Sequence, residues 1–205
     1  LAYLSRKSRA MLDEAGLPYV NIVASNQLDE HVIKSLLEQQ APIDIFGVGT
    51  SLVTGAPDGA LDGVYKLAES AGKPRMKISE TLQKATLPGT KQVLRMIDDQ
   101  GHFFGADAIV LQGEEQVSII HHPFEPGKSL QVAGFKQEPL LKIVMENGKR
   151  IAPSPVLTDI AQYSKERLAL LPAEYKRFEY PHIYKTSISQ QLLDLRNGMI
   201  ASHKM

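Results

Sequence analysis

The sequence predicts an α/β chain in two parts. Residues 1–55 form an alternating helix and strand segment, and residues 56–205 form a mixed β segment closed by helices. Three observations carry this. Helix-spaced apolar stripes alternate with short β-branched runs before residue 55. The second of those runs ends abruptly in Gly47-Val48-Gly49-Thr50-Ser51. Near residue 56 the composition shifts to a loop rich in Pro, Gly and Asp, followed by segments of hairpin length.

The first element is a helix over residues 1–15, with Leu1, Leu4, Met11, Leu12 and Ala15 on its apolar face; Gly16 and Pro18 stop it. Tyr19 to Ala24 reads as a buried strand. Asn26 is the candidate cap of the next helix, with Asp29 and Glu30 in its first turn and Leu28, Val32, Ile33, Leu36 and Leu37 as its stripe. Ile43 to Phe46 is the second strand. Short loops between such elements are the grammar of a parallel sheet, in which ligands bind at the carboxyl ends of the strands. Ser25-Asn26 and Gly47-Val48-Gly49-Thr50 occupy two successive strand ends and should lie side by side.

Beyond the loop at 56–63, Val64 to Glu69 and Arg75 to Ser79 read as two arms of a hairpin around Gly72-Lys73-Pro74. Val93 to Ile97 and His102 to Leu111 are strands around the tight turn Asp98-Asp99-Gln100-Gly101. Residues 117–139 hold short extended pieces broken by Pro123, Pro126, Gly127 and Gly134, and Asn147-Gly148 marks a further turn. Two helices follow. One opens at Pro153-Ser154-Pro155, with Pro155 at its first position and Leu157, Ile160, Ala161, Leu168 and Leu171 on its face. The other runs from Ser187 past Met199 through Ile188, Leu192 and Leu195.

The charge balance excludes some functions. Lys and Arg number 23, and so do Asp and Glu. No excess of positive charge exists to drive broad binding to nucleic acid. No apolar stretch approaches the ~20 residues of a membrane-spanning helix. Cysteine is absent, so thiolate chemistry and Cys-based zinc sites are excluded. Six histidines are present, but none forms an HxH or HxxxH pair, and His121-His122 would alternate to opposite faces of a strand. No metal site is predicted, and no nucleophile elbow and no P-loop is read from the sequence.

The candidate site follows from the strand ends. Gly47, Val48, Gly49 and Thr50 offer bare amide N–H groups and a hydroxyl, which suit a phosphate. As plain turn chemistry the same string needs no ligand. Ser25 and Asn26 suit either helix capping or a sugar hydroxyl. Lys66, Lys73, Arg75, Lys77, Lys84 and Lys91 form a cationic stretch that is either solvated or set around nucleotide phosphates.

Five strings occur in order: Val23-Ala24-Ser25-Asn26-Gln27-Leu28-Asp29-Glu30, Phe46-Gly47-Val48-Gly49-Thr50-Ser51-Leu52-Val53-Thr54, Gly63-Val64-Tyr65-Lys66-Leu67, Pro74-Arg75-Met76-Lys77-Ile78-Ser79 and Lys84-Ala85-Thr86-Leu87-Pro88-Gly89-Thr90-Lys91. Together they resemble the C-terminal half of nicotinate phosphoribosyltransferases. The resemblance implies part of an irregular, TIM-like α/β barrel of the type II phosphoribosyltransferases over residues 1–55. Residues 56–205 would then pack with an N-terminal domain. It also implies an enzyme of NAD synthesis that joins nicotinate to phosphoribosyl pyrophosphate with coupled ATP hydrolysis and Mg2+, cytoplasmic and homodimeric. Carried over, Gly47, Val48, Gly49 and Thr50 would hold the ribose 5′-phosphate, Ser25 and Asn26 would sit by the ribose hydroxyls, and Lys77 and Lys84 would lie near the pyrophosphate or ATP phosphates. The family's phospho-acceptor histidine and nicotinate-stacking residues match nothing in this chain. It is therefore expected to be a piece of a longer protein, without a catalytic residue of its own and inactive alone.

Overall fold

The computed structural model describes residues 1–60 and 63–203, apart from the side chain of Leu82. They form two compact units, Leu1–Val64 and Tyr65–Met205.

The first unit runs α1 (Ala2–Glu14), β1 (Val23–Ser25), α2 (Glu30–Glu38), β2 (Ile45–Gly47) and α3 (Thr50–Thr54). β1 and β2 pair in parallel, with Val23 opposite Ile45, Ala24 opposite Phe46 and Ser25 opposite Gly47. Asp44 Oδ2 accepts the Ile22 N–H at 2.7 Å and anchors the start of the pair. Ala2, Ala24, Leu28 and Leu36 are buried together, with Val32, Ile43, Phe46 and Val48 packed against them.

Two expectations change here. Asn26 does not cap α2. The cap is Asp29, whose Oδ1 accepts the Val32 N–H at 2.7 Å, while Asn26 and Gln27 lie at φ 81° and 49° in a left-handed turn. An asparagine cap would need extended backbone, which Asp29 has and Asn26 lacks. On α1 the buried residues are Ala2 and Ser5, whereas Leu1, Leu4 and Met11 are exposed. The small side chains allow close approach to the strand layer. Arg9 reaches back to the Val20 and Leu17 carbonyls, at 2.8 and 3.0 Å, and ties the following loop to the helix.

The second unit begins with β3 (Glu69–Ser70) and β4 (Lys73–Pro74), a minimal hairpin. The two longer arms expected at Val64–Glu69 and Arg75–Ser79 do not form. Val64, Tyr65 and Leu67 are exposed, and Pro74 has no N–H with which to extend a ladder. The sheet proper consists of β5 (Lys91–Ile97), β6 (Phe103–Leu111), β7 (Ile119–His121), β8 (Ser129–Gln131), β9 (Lys136–Pro139) and β12 (Lys185–Ser189). Between them in sequence lie the hairpin β10 (Met145–Glu146) and β11 (Lys149–Arg150) and the helix α4 (Leu157–Ala169); α5 (Gln190–His203) follows β12. The sheet order is β8-β7-β12-β6-β5-β9.

β12 was not expected. It lies parallel to β6, with Ile188 opposite Ile109, in the segment assigned to the last helix. Ile188 and Leu192 are both fully buried, but one belongs to the strand and the other to α5. Ser189 marks the change: the Leu192 N–H donates to its Oγ at 3.2 Å, and that hydroxyl donates to Glu114 Oε2 at 2.7 Å. α4 also starts later than expected. Val156 is extended, so Pro153 and Pro155 both precede the helix. The core of this unit is Leu94, Met96, Ala106, Ala108, Val110, Val117, Ile120 and Val132.

Candidate functional site

The register Ser25–Gly47 brings the two strand ends together, as the grammar of the sheet requires. They open into a pocket of about 980 Å³, lined by Ser25, Asn26, Gln27, Leu28, Asp29, Gly47, Val48, Gly49, Thr50 and Ser51. Ser25, Asn26, Gly47, Val48, Gly49 and Thr50, all singled out from the sequence, therefore share one cavity. Gln27, Asp29 and Ser51 belong to it as well. Asp29 had been read only as a first-turn carboxylate.

The two glycines do different jobs. A Cβ on Gly47 would stand 3.1 Å from Ser25 Oγ and 3.3 Å from Ser25 Cβ, so this glycine lets the two strands meet. A Cβ on Gly49 would meet nothing within 4 Å; it would project into open space beside the pocket. Packing does not require glycine there, and the missing Cβ leaves the backbone open to close approach. Gly49 is the N-cap of α3, and the first N–H groups of any helix have no intrahelical acceptor. Thr50 Oγ1 and Ser51 Oγ add hydroxyls.

On the opposite strand end, Ser25 Oγ donates to the Gly47 carbonyl at 3.2 Å. Its proton is thereby committed, and its lone pairs remain to accept. The left-handed backbone at Asn26 and Gln27 is strained for non-glycine residues, a cost of order 1 kcal/mol each that clusters at functional sites. No Lys or Arg lines this pocket among the described residues. Its donors are amides and hydroxyls, and among the described residues Asp29 is its one acidic side chain.

The cationic stretch lies in the second unit. Lys77 and Lys84 are exposed and share one loop, closed by Thr86 Oγ1 accepting the Lys77 N–H at 2.8 Å and by the Thr86 N–H donating to the Lys77 carbonyl at 3.2 Å. Lys91 differs from both. Its ammonium is half-buried and donates to the Leu87 carbonyl at 3.0 Å and to the Gly89 carbonyl. Burial lowers its pKa, with Glu69 opposing.

A second cavity, of about 490 Å³, lies between α4 and the sheet and is lined in part by Arg95, Phe103, Asp107, Tyr163, Arg167 and Tyr184. Its charges are matched internally. Arg95 grips Asp107 with two bonds of 3.0 and 2.8 Å, and Tyr184 donates to the same carboxylate at 2.8 Å. Arg167 pairs with Glu138, and the Arg95 and Arg167 guanidinium groups both lie against the Phe103 ring, at 4.6 and 4.5 Å from its centroid. Burial, then the hydrogen bond to Asp107, pushes the Tyr184 phenol above the ordinary tyrosine range. This cluster clamps α4 to the sheet.

Comparison with known proteins gives a consistent picture. The family described as the nicotinate phosphoribosyltransferase C-terminal domain matches residues 90–196. Nicotinate phosphoribosyltransferase of Bacillus subtilis is 41% identical over 199 residues, covering 93% of this chain and 40% of that protein. The Dictyostelium discoideum enzyme of the same name is 34% identical, covering 97% and 37% respectively. A crystal structure of human nicotinic acid phosphoribosyltransferase superposes with a TM-score of 0.65 at 26% identity, over 97% of this chain and 36% of that one. The chain thus spans about two fifths of the length of the curated relatives it matches.

Proposed function

Because the chain belongs to the nicotinate phosphoribosyltransferase C-terminal domain family, we propose that it works within an enzyme that transfers a phosphoribosyl group to nicotinate, in NAD synthesis, with its strand-end pocket as the sugar-phosphate subsite. The observation that carries this reading is the convergence of Ser25-Asn26 and Gly47–Thr50 on one pocket in which Gly49 leaves open space beside bare amides. In the reaction the C1–pyrophosphate bond of phosphoribosyl pyrophosphate loosens, its electron pair leaves with pyrophosphate, and the nicotinate ring nitrogen forms the new bond to C1. Such chemistry depends on holding the sugar phosphate still while charge separates.

The Gly47-Val48-Gly49-Thr50 turn, through its amides and the Thr50 hydroxyl, holds the 5′-phosphate. Ser25 Oγ, its proton given to Gly47, accepts from a ribose hydroxyl, and the Asn26 amide both donates and accepts. Lys77 and Lys84 act as point charges toward the pyrophosphate or ATP phosphates. ATP, when bound, supplies the free energy of its hydrolysis to the transfer. Mg2+, which prefers phosphate oxygens and waters, would come as an ion carried by the polyphosphates.

The parallel β1–β2 pair also fits a barrel. Val23 and Ile45 are 59% and 48% exposed, whereas parallel strands are ordinarily covered on both faces. We read the pair as part of a TIM-like α/β barrel, with the second unit packed on the N-terminal domain. We propose, too, that the working enzyme is a cytoplasmic homodimer.

Calorimetric titration with nicotinate mononucleotide, paired with a turnover assay in an enzyme carrying these residues, tests the proposal. Binding and turnover that Asn26→Ala weakens together support it. Binding without turnover would favour a non-catalytic sugar-phosphate module.

A further inference from the structure

We infer that the pocket between the β7–β8 loop and α5 binds a compact oxyanion of the phosphate class, held by Arg196 and His121. The pocket has a volume of about 210 Å³ and lies among His121, Pro123, Glu125, Lys128, Leu193 and Arg196. With roughly 30 Å³ per water in the liquid, it accommodates a tetrahedral anion with a little solvent.

Arg196 is the anomaly. Only 5% of it is exposed, and among the described residues it makes no ion pair. Its Nη1 donates to the Pro123 carbonyl; its Nε reaches Asn197 Oδ1 only at 3.5 Å. Three other arginines of this chain, Arg9, Arg95 and Arg167, each hold a carboxylate. A buried guanidinium without a counter-charge is costly, and an anion in the adjacent pocket offsets that cost. Burial also holds the Arg196 pKa below the usual arginine range. His121 supplies an independent sign: its Nε2 is buried and has no hydrogen-bond partner among the described residues. Buried polar atoms left unpaired are rare and call for a partner.

The remaining charges are already settled. Glu125, the one carboxylate lining the pocket, is matched by Lys128 and by His122 Nε2 at 3.3 Å. His122 Nδ1 accepts the N–H groups of Phe124 and Glu125 at 3.2 and 2.9 Å, so its proton sits on Nε2, toward Glu125. Lys128 and Arg196 against Glu125 leave the lining net positive. The loop holds Gly127-Lys128-Ser129, the last three letters of a P-loop. However, His122 stands where the leading glycine belongs, and strand β8 follows in place of a helix. The recognition is therefore by side chains, a guanidinium fork and an imidazole N–H.

The test is a titration of the isotopically labelled 205-residue chain with inorganic phosphate at fixed ionic strength, following the Arg Nε–H and histidine side-chain resonances. The Arg196 and His121 signals should move together and saturate, while acetate and chloride leave them in place. Gly49→Val should not alter this binding, which separates it from the strand-end pocket. Arg196→Lys, which loses the planar guanidinium and its reach, and His121→Phe, which loses the imidazole nitrogens, should each weaken it at least about ten-fold. Should Arg196→Lys fail to fold, His121→Phe, which retains the guanidinium, carries the comparison. Absence of a saturable response at Arg196 in the unmodified chain would overturn the inference, as would an equal response to acetate.

Discussion

The two units solve opposite problems. The sheet of the second unit buries a continuous core and spends its polar side chains on internal pairs such as Arg95–Asp107 and Arg167–Glu138. The first unit has a small core around Leu28 and Leu36, leaves its strands half-covered and keeps its polar strand ends open. One unit holds together through its own packing, while the other leaves a polar strand-end pocket open. Loops that bind ligands are drawn from the less stable parts of a molecule for this reason.

Core truncation should give the largest effect and the sharpest comparison. Leu94 is 1% exposed in the sheet and Leu36 is 5% exposed under α2. Leu94→Ala should cost about 3 kcal/mol and Leu36→Ala about 2 kcal/mol, since the looser surroundings of Leu36 relax more fully. Amide exchange read separately in β5–β6 and in β1–α2 checks this. If Leu36→Ala loosens β5–β6 equally, the units unfold as one and the comparison fails.

Next comes the clamp on α4. The Asp107 side chain is 13% exposed and that of Arg95 is 22% exposed. Asp107→Asn leaves the Arg95 charge without a counter-ion, and should cost about 2 kcal/mol in denaturant unfolding after discounting for this partial exposure. The same variant should lower the Tyr184 pKa, yet leave it above the ordinary value, because burial is the larger cause. The sign for stability follows. A phenol whose folded pKa is raised stabilises the fold fully below the ordinary tyrosine range and loses that contribution as pH rises through the folded value. Spectrophotometric titration of the phenols at alkaline pH reads both effects.

The smallest effect is at the cap of α2. Asp29→Ala removes the acceptor of the Val32 N–H and should cost about 1 kcal/mol, confined to amides of the first unit. Spread into the second unit would contradict the separation of the two.

Much of the first unit was legible because strict local signals coincide there: a helix stop at Gly16, short strands, and glycines at a strand end. The strand-end pairing of Ser25 with Gly47 followed from the grammar of parallel sheets alone. The cap at Asp29 was missed because three residues that can cap, Ser25, Asn26 and Asp29, stand close together. Only backbone conformation decides between them. β12 was hidden for a different reason. Ile188 and Leu192 have helical spacing, and Lys185-Thr186-Ser187 carries no strand-like alternation; its place between β6 and β7 comes from long-range pairing. Arg196 was not singled out, because no sequence pattern announces a buried arginine without a carboxylate.

The central claim is that Gly49 is glycine for a ligand and not for the fold. Ribose 5-phosphate titrated into the unmodified chain and into Gly49→Val, with backbone amide shifts followed at Ser25, Asn26 and Gly47 to Thr50, tests it most directly. The account predicts saturable shifts at these amides in the unmodified chain. In Gly49→Val those shifts should be lost, with stability changed by no more than about 1 kcal/mol, since a Cβ at this position meets nothing within 4 Å. Undiminished binding by Gly49→Val, or shifts confined to Arg196 and His121, would contradict it.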